Sequence, residues 1–335
     1  MTLIYALILF VLLIFPHELG HFIAAKSVGV KVNEFAFGMG PAIFKKQKGE
    51  TQYSVRLVPL GGYCAMEGEN EESDNSRAFN NKPGWAKILV LLAGSAMNVL
   101  IAVLALSIVF GYIGTATTTV DEVQQDTPAY EAGILSGDKI LEAGGKQIEH
   151  WNDLSEAVSS SFRDDKEVEI TVERGGNEKS FTVIPEKGED GRYIIGITSK
   201  VSHSVFDAAE NGLKGTWDLT KSMFTMLGQL VSGGISADEI SGPVGIVTMA
   251  GETERYGAVY FGYLVALISL NLALMNMLPL PALDGGRILF VFIRKITGKM
   301  ISDDLEGKIH GAGMIFLLGL MVFVTWNDIT RLFIK

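Results

Sequence analysis

Cysteine is nearly missing from this chain of 335 residues. Cys64 stands alone, so no intrachain disulfide forms and no C-x-x-C chemistry is available; a small buried side chain is its simplest role. An excess of basic residues is missing too. With 28 Lys and Arg against 38 Asp and Glu, the formal charge is −10. The imbalance lies mostly within residues 115–240, where acidic side chains outnumber basic ones about two to one. Nucleic-acid binding needs a basic face and is set aside, and a well-hydrated soluble domain is the simpler meaning of the acidity. Charge of either sign is missing from the side chains of the opening MTLIYALILFVLLI. A cleaved signal peptide does not explain this. There is no basic n-region, and the apolar run continues through HELGH instead of ending at a small-residue cleavage site.

What is present is apolar length. The chain is 48% hydrophobic, with a mean hydropathy of +0.28. The apolar residues gather near 2–27, 86–113, 257–279 and 310–326, each close to or beyond the ~20 residues that a membrane-crossing helix needs. Four passes with one soluble insertion follow. Lys26, Lys31, Lys45, Lys46, Lys48, Arg56, Arg77, Lys82 and Lys87 follow the first pass, and Arg287, Arg294, Lys295, Lys299 and Lys308 lie between the third and fourth. The N-terminus has no basic side chain, and the C-terminal tail has only Arg331 and Lys335. Basic loops stay cytoplasmic, so both termini and the insertion are expected outside.

Between passes one and two, alternating stretches at 32–37, 42–46, 52–58 and 62–67 are separated by Gly38-Met39-Gly40-Pro41, Lys48-Gly49 and Gly61-Gly62, a hairpin pattern. It is too apolar for an ordinary cytoplasmic loop, and open strand edges cannot cross lipid. A sheet dipping into the membrane against the helices is expected, with a cytoplasmic β-meander as the plainer alternative. Residues 69–83 read as a polar loop. In the second pass Ala93, Gly94, Ser95 and Ala96 permit close helix packing, and Asn98 reads as interhelical glue or part of a site. Residues 203–232 carry Val205, Phe206, Ala209, Leu213, Trp217, Phe224, Leu227 and Val231 at helical spacing. That predicts an amphipathic helix on the membrane surface or against the soluble domain.

FPHELGHFIAAK at 15–26 carries the chemistry. His17 and His21 stand four apart, so a helix presents both to one Zn²⁺, while Glu18 can act on a metal-activated water. A charged side chain near the bilayer centre costs about 2.5–3.5 kcal/mol on insertion scales and calls for a partner; a metal is one. Catalytic zinc sites use three protein ligands and leave one position open. His150 and His203 belong to the insertion or its border, and His310 begins the last pass beside a charged loop. Asp284 in NMLPLPALDGGRILF is the better third ligand: Pro279 and Pro281 must break the preceding helix, and Asp284 opens the next segment. An N-cap aspartate is the alternative, and HELGH in the same chain favours the ligand.

HELGH in the first pass and N-x-x-P-x-P-x-L-D-G later resemble the intramembrane site-2 metalloproteases, in particular the bacterial regulator-of-sigma-E protease type. PAYEAGILSGDKILEAGGKQI looks like the PDZ domain of that branch, and the resemblance extends to the G-x-G hairpin and to GPVGI at 242–246. It implies a multi-pass α-helical membrane protein with four transmembrane helices, a membrane-dipping β-hairpin sheet and an inserted extracytoplasmic α+β PDZ domain. The expected parts are an N-terminal membrane part over 1–113 with the hairpin region at about 31–68, a PDZ domain over 115–200, a surface helix and connector over 201–256, and a C-terminal membrane part over 257–335. The resemblance implies Zn²⁺ on His17, His21 and Asp284, with Glu18 as the catalytic base. It assigns substrate contacts to the hairpin near Gly38 and Gly40 and to Asn276; Asn271 could compete for freed backbone groups in the same way. Expected partners are single-pass transmembrane proteins, such as anti-sigma factors or signal-peptide remnants, already trimmed outside. Membrane lipid is expected around the helices, with substrate C-termini at the PDZ and a bacterial inner or plasma membrane as the location. Two departures stand out. Pro16 precedes HELGH, where it should bend or open the helix, and Ser95 stands where the family commonly has Pro. A membrane-anchored PDZ scaffold with a structural metal is the rival reading, and Glu18 is the residue such a scaffold would not need. A zinc protease acting on soluble proteins at the membrane face shares the chemistry without the hairpin and LDG turn.

Overall fold

The computed structural model describes residues 2–69, 73–161, 167–188, 193–234, 242–297 and 303–333. Lys299, Lys335 and residues 70–72 of the polar loop lie outside them. Two compact units emerge, residues 110–208 and the remainder of the chain on either side.

Among the described residues, four helices are long and apolar enough to cross a membrane: Thr2–Ser27, Gly84–Ile113, Pro243–Asn276 and, within Asp303–Phe333, Leu305–Thr330. We label the helices α1 (Thr2–Ser27), α2 (Gly84–Ile113), α6 (Pro243–Asn276) and α8 (Asp303–Phe333). α1 runs unbroken through Pro16. The proline therefore removes one hydrogen bond without ending the helix, contrary to an opening at that point. Ala6, Leu9 and Leu13 place one stripe of α1 against Ala250, Leu264 and Val265 of α6. α6 is longer than its apolar run. It starts at Pro243 and breaks its helical geometry at Gly257 (φ +82°), where the apolar stretch begins. Its end at Asn276 falls three residues before Pro279, as the ring's steric demand on the preceding residue requires.

The hairpin is β1 (Val32–Lys48) with β2 (Thr51–Met66), paired antiparallel. Each strand is bent in two, so the inner segment has a neighbour on both sides: Phe35 faces Cys64 on one and Tyr53 on the other. Gly62–Met66 and Phe44–Lys48 are left as the outer segments. Val32, Phe35, Cys64 and Met66 bury one end of this sheet against Ala24 and Ala25 of α1 and Val90 and Leu91 of α2. The far end exposes Met39, Ile43, Phe44 and Leu57. α5 (Val205–Val231) leaves Phe206, Leu213, Trp217 and Phe224 exposed. α7 (Asp284–Thr297) is a short helix after the proline break.

The smaller unit holds β3 (Thr115–Val123), α3 (Pro128–Ala132), β4 (Lys139–Ala143), β5 (Lys146–Gln147), α4 (Trp151–Ser161), β6 (Val168–Arg174), β7 (Asn177–Val183), a short pair β8 (Glu186–Lys187) and β9 (Tyr193–Ile194), and β10 (Ile197–Ser202). Its main sheet runs β10-β3-β4-β6-β7, with β5 on β4. Val168, Ile170 and Val172 alternate inward from β6, as period two dictates, and meet Leu154, Ala157 and Val158 of α4 in one core.

Candidate metal centre

The helical period brings His17 and His21 onto one face of α1, and the start of α7 brings Asp284 to the same point. His17 Nε2 and His21 Nε2 are 3.2 Å apart, and Asp284 Oδ2 is 3.5 Å from the first and 3.4 Å from the second. A direct charge-assisted hydrogen bond would be about 2.7–2.9 Å. Donor atoms arranged tetrahedrally around one zinc at about 2.0–2.1 Å lie roughly 3.3 Å from each other. The observed triangle fits a shared cation better than paired hydrogen bonds. Both histidines are buried, and among the described residues this is the one His/Cys/Asp/Glu cluster close enough to share an ion.

The surroundings orient the ligands. His21 Nδ1–H donates to the Val90 carbonyl at 2.8 Å, which leaves the Nε2 lone pair for a metal. Asn98 is fully buried, with Nδ2 3.3 Å from His17 Nδ1 and Oδ1 unpartnered. Turning the amide over lets Oδ1 accept from His17 Nδ1–H, the same orienting bond on the second ligand. Gly94 supplies the space: a Cβ there would stand 2.4 Å from His21 Nε2. Asn98, Val90 and Gly94 thus belong to the site. Only the small-residue run at 93–96 and the polar Asn98 hinted at this in sequence.

Half-buried Glu18 accepts from the Cys64 backbone N–H through Oε2 at 3.2 Å. It lines a cavity of about 550 Å³ with the three ligand residues, Tyr63–Met66 of β2 and Asn276. Asn276 Nδ2 lies 3.3 Å from His17 Nε2. Asn271 is exposed on α6, away from the lining. Gly38 and Gly40, both with positive φ, lie where β1 bends and do not line the cavity either. The segment at the ligands is Gly62–Met66, which pairs with β1 along one side and faces the cavity. Strand order arises from non-local pairing, so no local pattern announced it.

Two residues before Asp284, Ala282 has φ +74°, a left-handed conformation that costs a non-glycine residue about 1–2 kcal/mol. Its backbone N–H donates to His310 Nδ1 at 2.8 Å.

The profile of Peptidase family M50 matches residues 5–320. A Clostridium perfringens relative bearing a zinc metalloprotease name is 38% identical over 335 residues, covering 98% of each chain. Regulator of sigma-W protease RasP of Bacillus subtilis is 32% identical over 421 aligned positions, covering 99% of each chain. Among solved structures, the PDZ domain of the SdrC-like protein from Listeria innocua aligns at 26% identity with a TM-score of 0.22, covering 27% of this chain and 99% of that one.

Proposed function

The chain belongs to Peptidase family M50, and on that premise we propose that it is a zinc metalloendopeptidase cutting transmembrane segments of single-pass membrane proteins. Its place is in regulated intramembrane proteolysis, after the substrate has been trimmed outside. The observation that carries this reading is the convergence of His17, His21 and Asp284 at one point beside Glu18, in a cavity among long apolar helices.

His17, His21 and Asp284 would hold the zinc. When bound, it supplies Lewis acidity, lowering the pKa of a water to about 7 and polarising the scissile carbonyl. The remaining work falls to side chains. Glu18 Oε2 is held by the Cys64 N–H, so Oε1 is the atom that takes the water proton and passes it to the leaving amine. A transmembrane helix hides its peptide bonds in i→i−4 hydrogen bonds and must unwind before it is cut. The side of Gly62–Met66 that β1 leaves unpaired takes up the unwound stretch by strand addition through Gly62 and the strand carbonyls, since the Cys64 and Met66 N–H groups serve Glu18 and Glu69, and Asn276 binds one of its backbone carbonyls. The apolar side chains around the Gly38–Gly40 bend sit in lipid, as does the exposed face of α5. We read the insertion as a PDZ domain that restricts entry to shortened substrates. In a bacterial plasma membrane it and both termini face outward, because the basic loops stay inside.

The test uses detergent-purified protein, its bound zinc, and a single-pass model substrate cut by wild type and Glu18→Gln. Zinc in both with cleavage lost in the variant supports the reading. Zinc in both with cleavage by neither favours the scaffold, and equal cleavage by both refutes the role of Glu18.

A further inference from the structure

We infer that His310 is a positioning residue for the Asp284 ligand: from the last helix, it holds the left-handed turn that aims this carboxylate at the two histidines. The inference rests on the zinc site proposed above. α8 grips the turn at two points one helical turn apart. At Gly313 the backbone comes so close that a Cβ would stand 2.4 Å from Pro281 Cβ. At His310, the ring Nδ1 accepts the Ala282 N–H at 2.8 Å. That acceptor role fixes the tautomer. Nδ1 is bare and Nε2 carries the hydrogen, with Glu306 Oε1 3.8 Å from it and no hydrogen-bond partner at the buried Nε2 itself.

The turn needs such a hold. Proline at 279 and 281 removes two donors from it, and Ala282 at φ +74° sits in a conformation that an unrestrained alanine leaves. Leu283 N–H reaches Leu280 O only at 3.3 Å, so of the two N–H groups immediately before the ligand, that of Ala282 makes the shorter bond, to His310 at 2.8 Å. His310 also lies against Phe290 of α7, with ring centroids 5.5 Å apart. The helix that begins at Asp284 and the turn that precedes it are therefore registered by one imidazole. His310 does not line the catalytic cavity and touches neither the reacting atoms nor the metal. It acts through Ala282. Partners hydrogen-bonded to a metal ligand itself typically contribute about 10–100-fold to metal affinity, and His310, acting one step further out, is expected at the low end of that range.

The test measures zinc alone, by competition with a chromophoric chelator, on full-length protein in detergent. Wild type, His310→Leu and His310→Asn are compared, with kcat and KM on a model substrate at saturating zinc. Asparagine Oδ1 occupies the place of Nδ1 and can accept the same N–H; leucine fills space without accepting. His310→Leu is expected to bind zinc about 10-fold more weakly and to lose kcat with KM unchanged, while His310→Asn stays within a few-fold of wild type. Wild-type affinity in His310→Leu overturns the inference alone. Equal weakening in both variants overturns it too, because packing rather than the acceptor would then be at work. A wild type without zinc overturns the metal-site reading first, and this inference with it.

Discussion

Two asparagines meet His17, and the atoms they meet give them opposite roles. Asn98 faces Nδ1, the nitrogen that the proposed site leaves unligated; Asn276 faces Nε2, the one that would ligate. A donor and a zinc cannot share one lone pair, so with zinc held at His17 Nε2 the Asn276 amide would be available to a substrate carbonyl, while Asn98 would keep its place and set the tautomer. Asn98→Ala should weaken zinc binding about 10–100-fold. Asn276→Ala should leave zinc affinity unchanged and slow cleavage; normal turnover in that variant would remove it from substrate binding. Gly94→Ala is the steric counterpart. Its methyl would enter the space of His21 Nε2, and equilibrium dialysis should find the zinc lost while the helical circular dichroism is retained. At this scale HELGH and the aspartate after the proline break were legible because they rest on helical period and proline geometry, which are local. Asn98 was legible only as interhelical glue or part of a site, and His310 not at all, because each acquires its meaning from a different helix.

Whole elements were legible where the reason was hydrophobic length. Each of the four apolar runs falls on one of the four long helices, the third continuing past the end of α6 at Asn276. The first half of α6 was hidden because its polar stretch Gly251–Arg255 interrupts the run, and a helix that buries Ala250 and Thr253 need not be apolar all round. The inserted sheet rests on an ion pair with a pH signature of its own. Arg174 of β6 donates Nε and Nη2 to Asp138 just before β4, and the Leu135 N–H adds a third bond. Burial pushes the Asp138 carboxyl up, but the Arg174 and Leu135 hydrogen bonds outweigh it and hold the group below the usual carboxylate range. A lowered folded pKa stabilises the fold above the unfolded value of about 3.9, and that contribution disappears as pH falls through the folded value. Amide protection in β4 and β6 should therefore be constant from pH 7 to about pH 5 and decline below pH 4. Asp138→Asn should lower it at neutral pH by about 1–3 kcal/mol and remove that part of the acid dependence. An unchanged acid profile in the variant would assign the loss to other carboxylates.

At the scale of the molecule, the two units divide the labour. The helical unit contains every ligand of the proposed zinc site, and the insertion contributes none among the described residues. If the insertion acts only as a size filter, its loss should alter which substrates reach the site and leave the chemistry alone. RasP aligns over 421 positions with a chain of 335, so the relative carries extra segments, while the described residues of the present protein hold one inserted sheet unit. Replacing residues 115–200 with a short Gly/Ser linker gives the decisive comparison. A filter predicts that a pre-trimmed single-pass substrate is cut at the same rate by both proteins, and that a full-length substrate resists wild type but is cut by the deletion. A PDZ that recruits substrate by its new C-terminus predicts the reverse: the deletion raises KM for the trimmed substrate and gains nothing on the full-length one. Bulk exclusion is the expected outcome. It requires only the bulk of a folded unit, whereas recruitment also requires a carboxylate site.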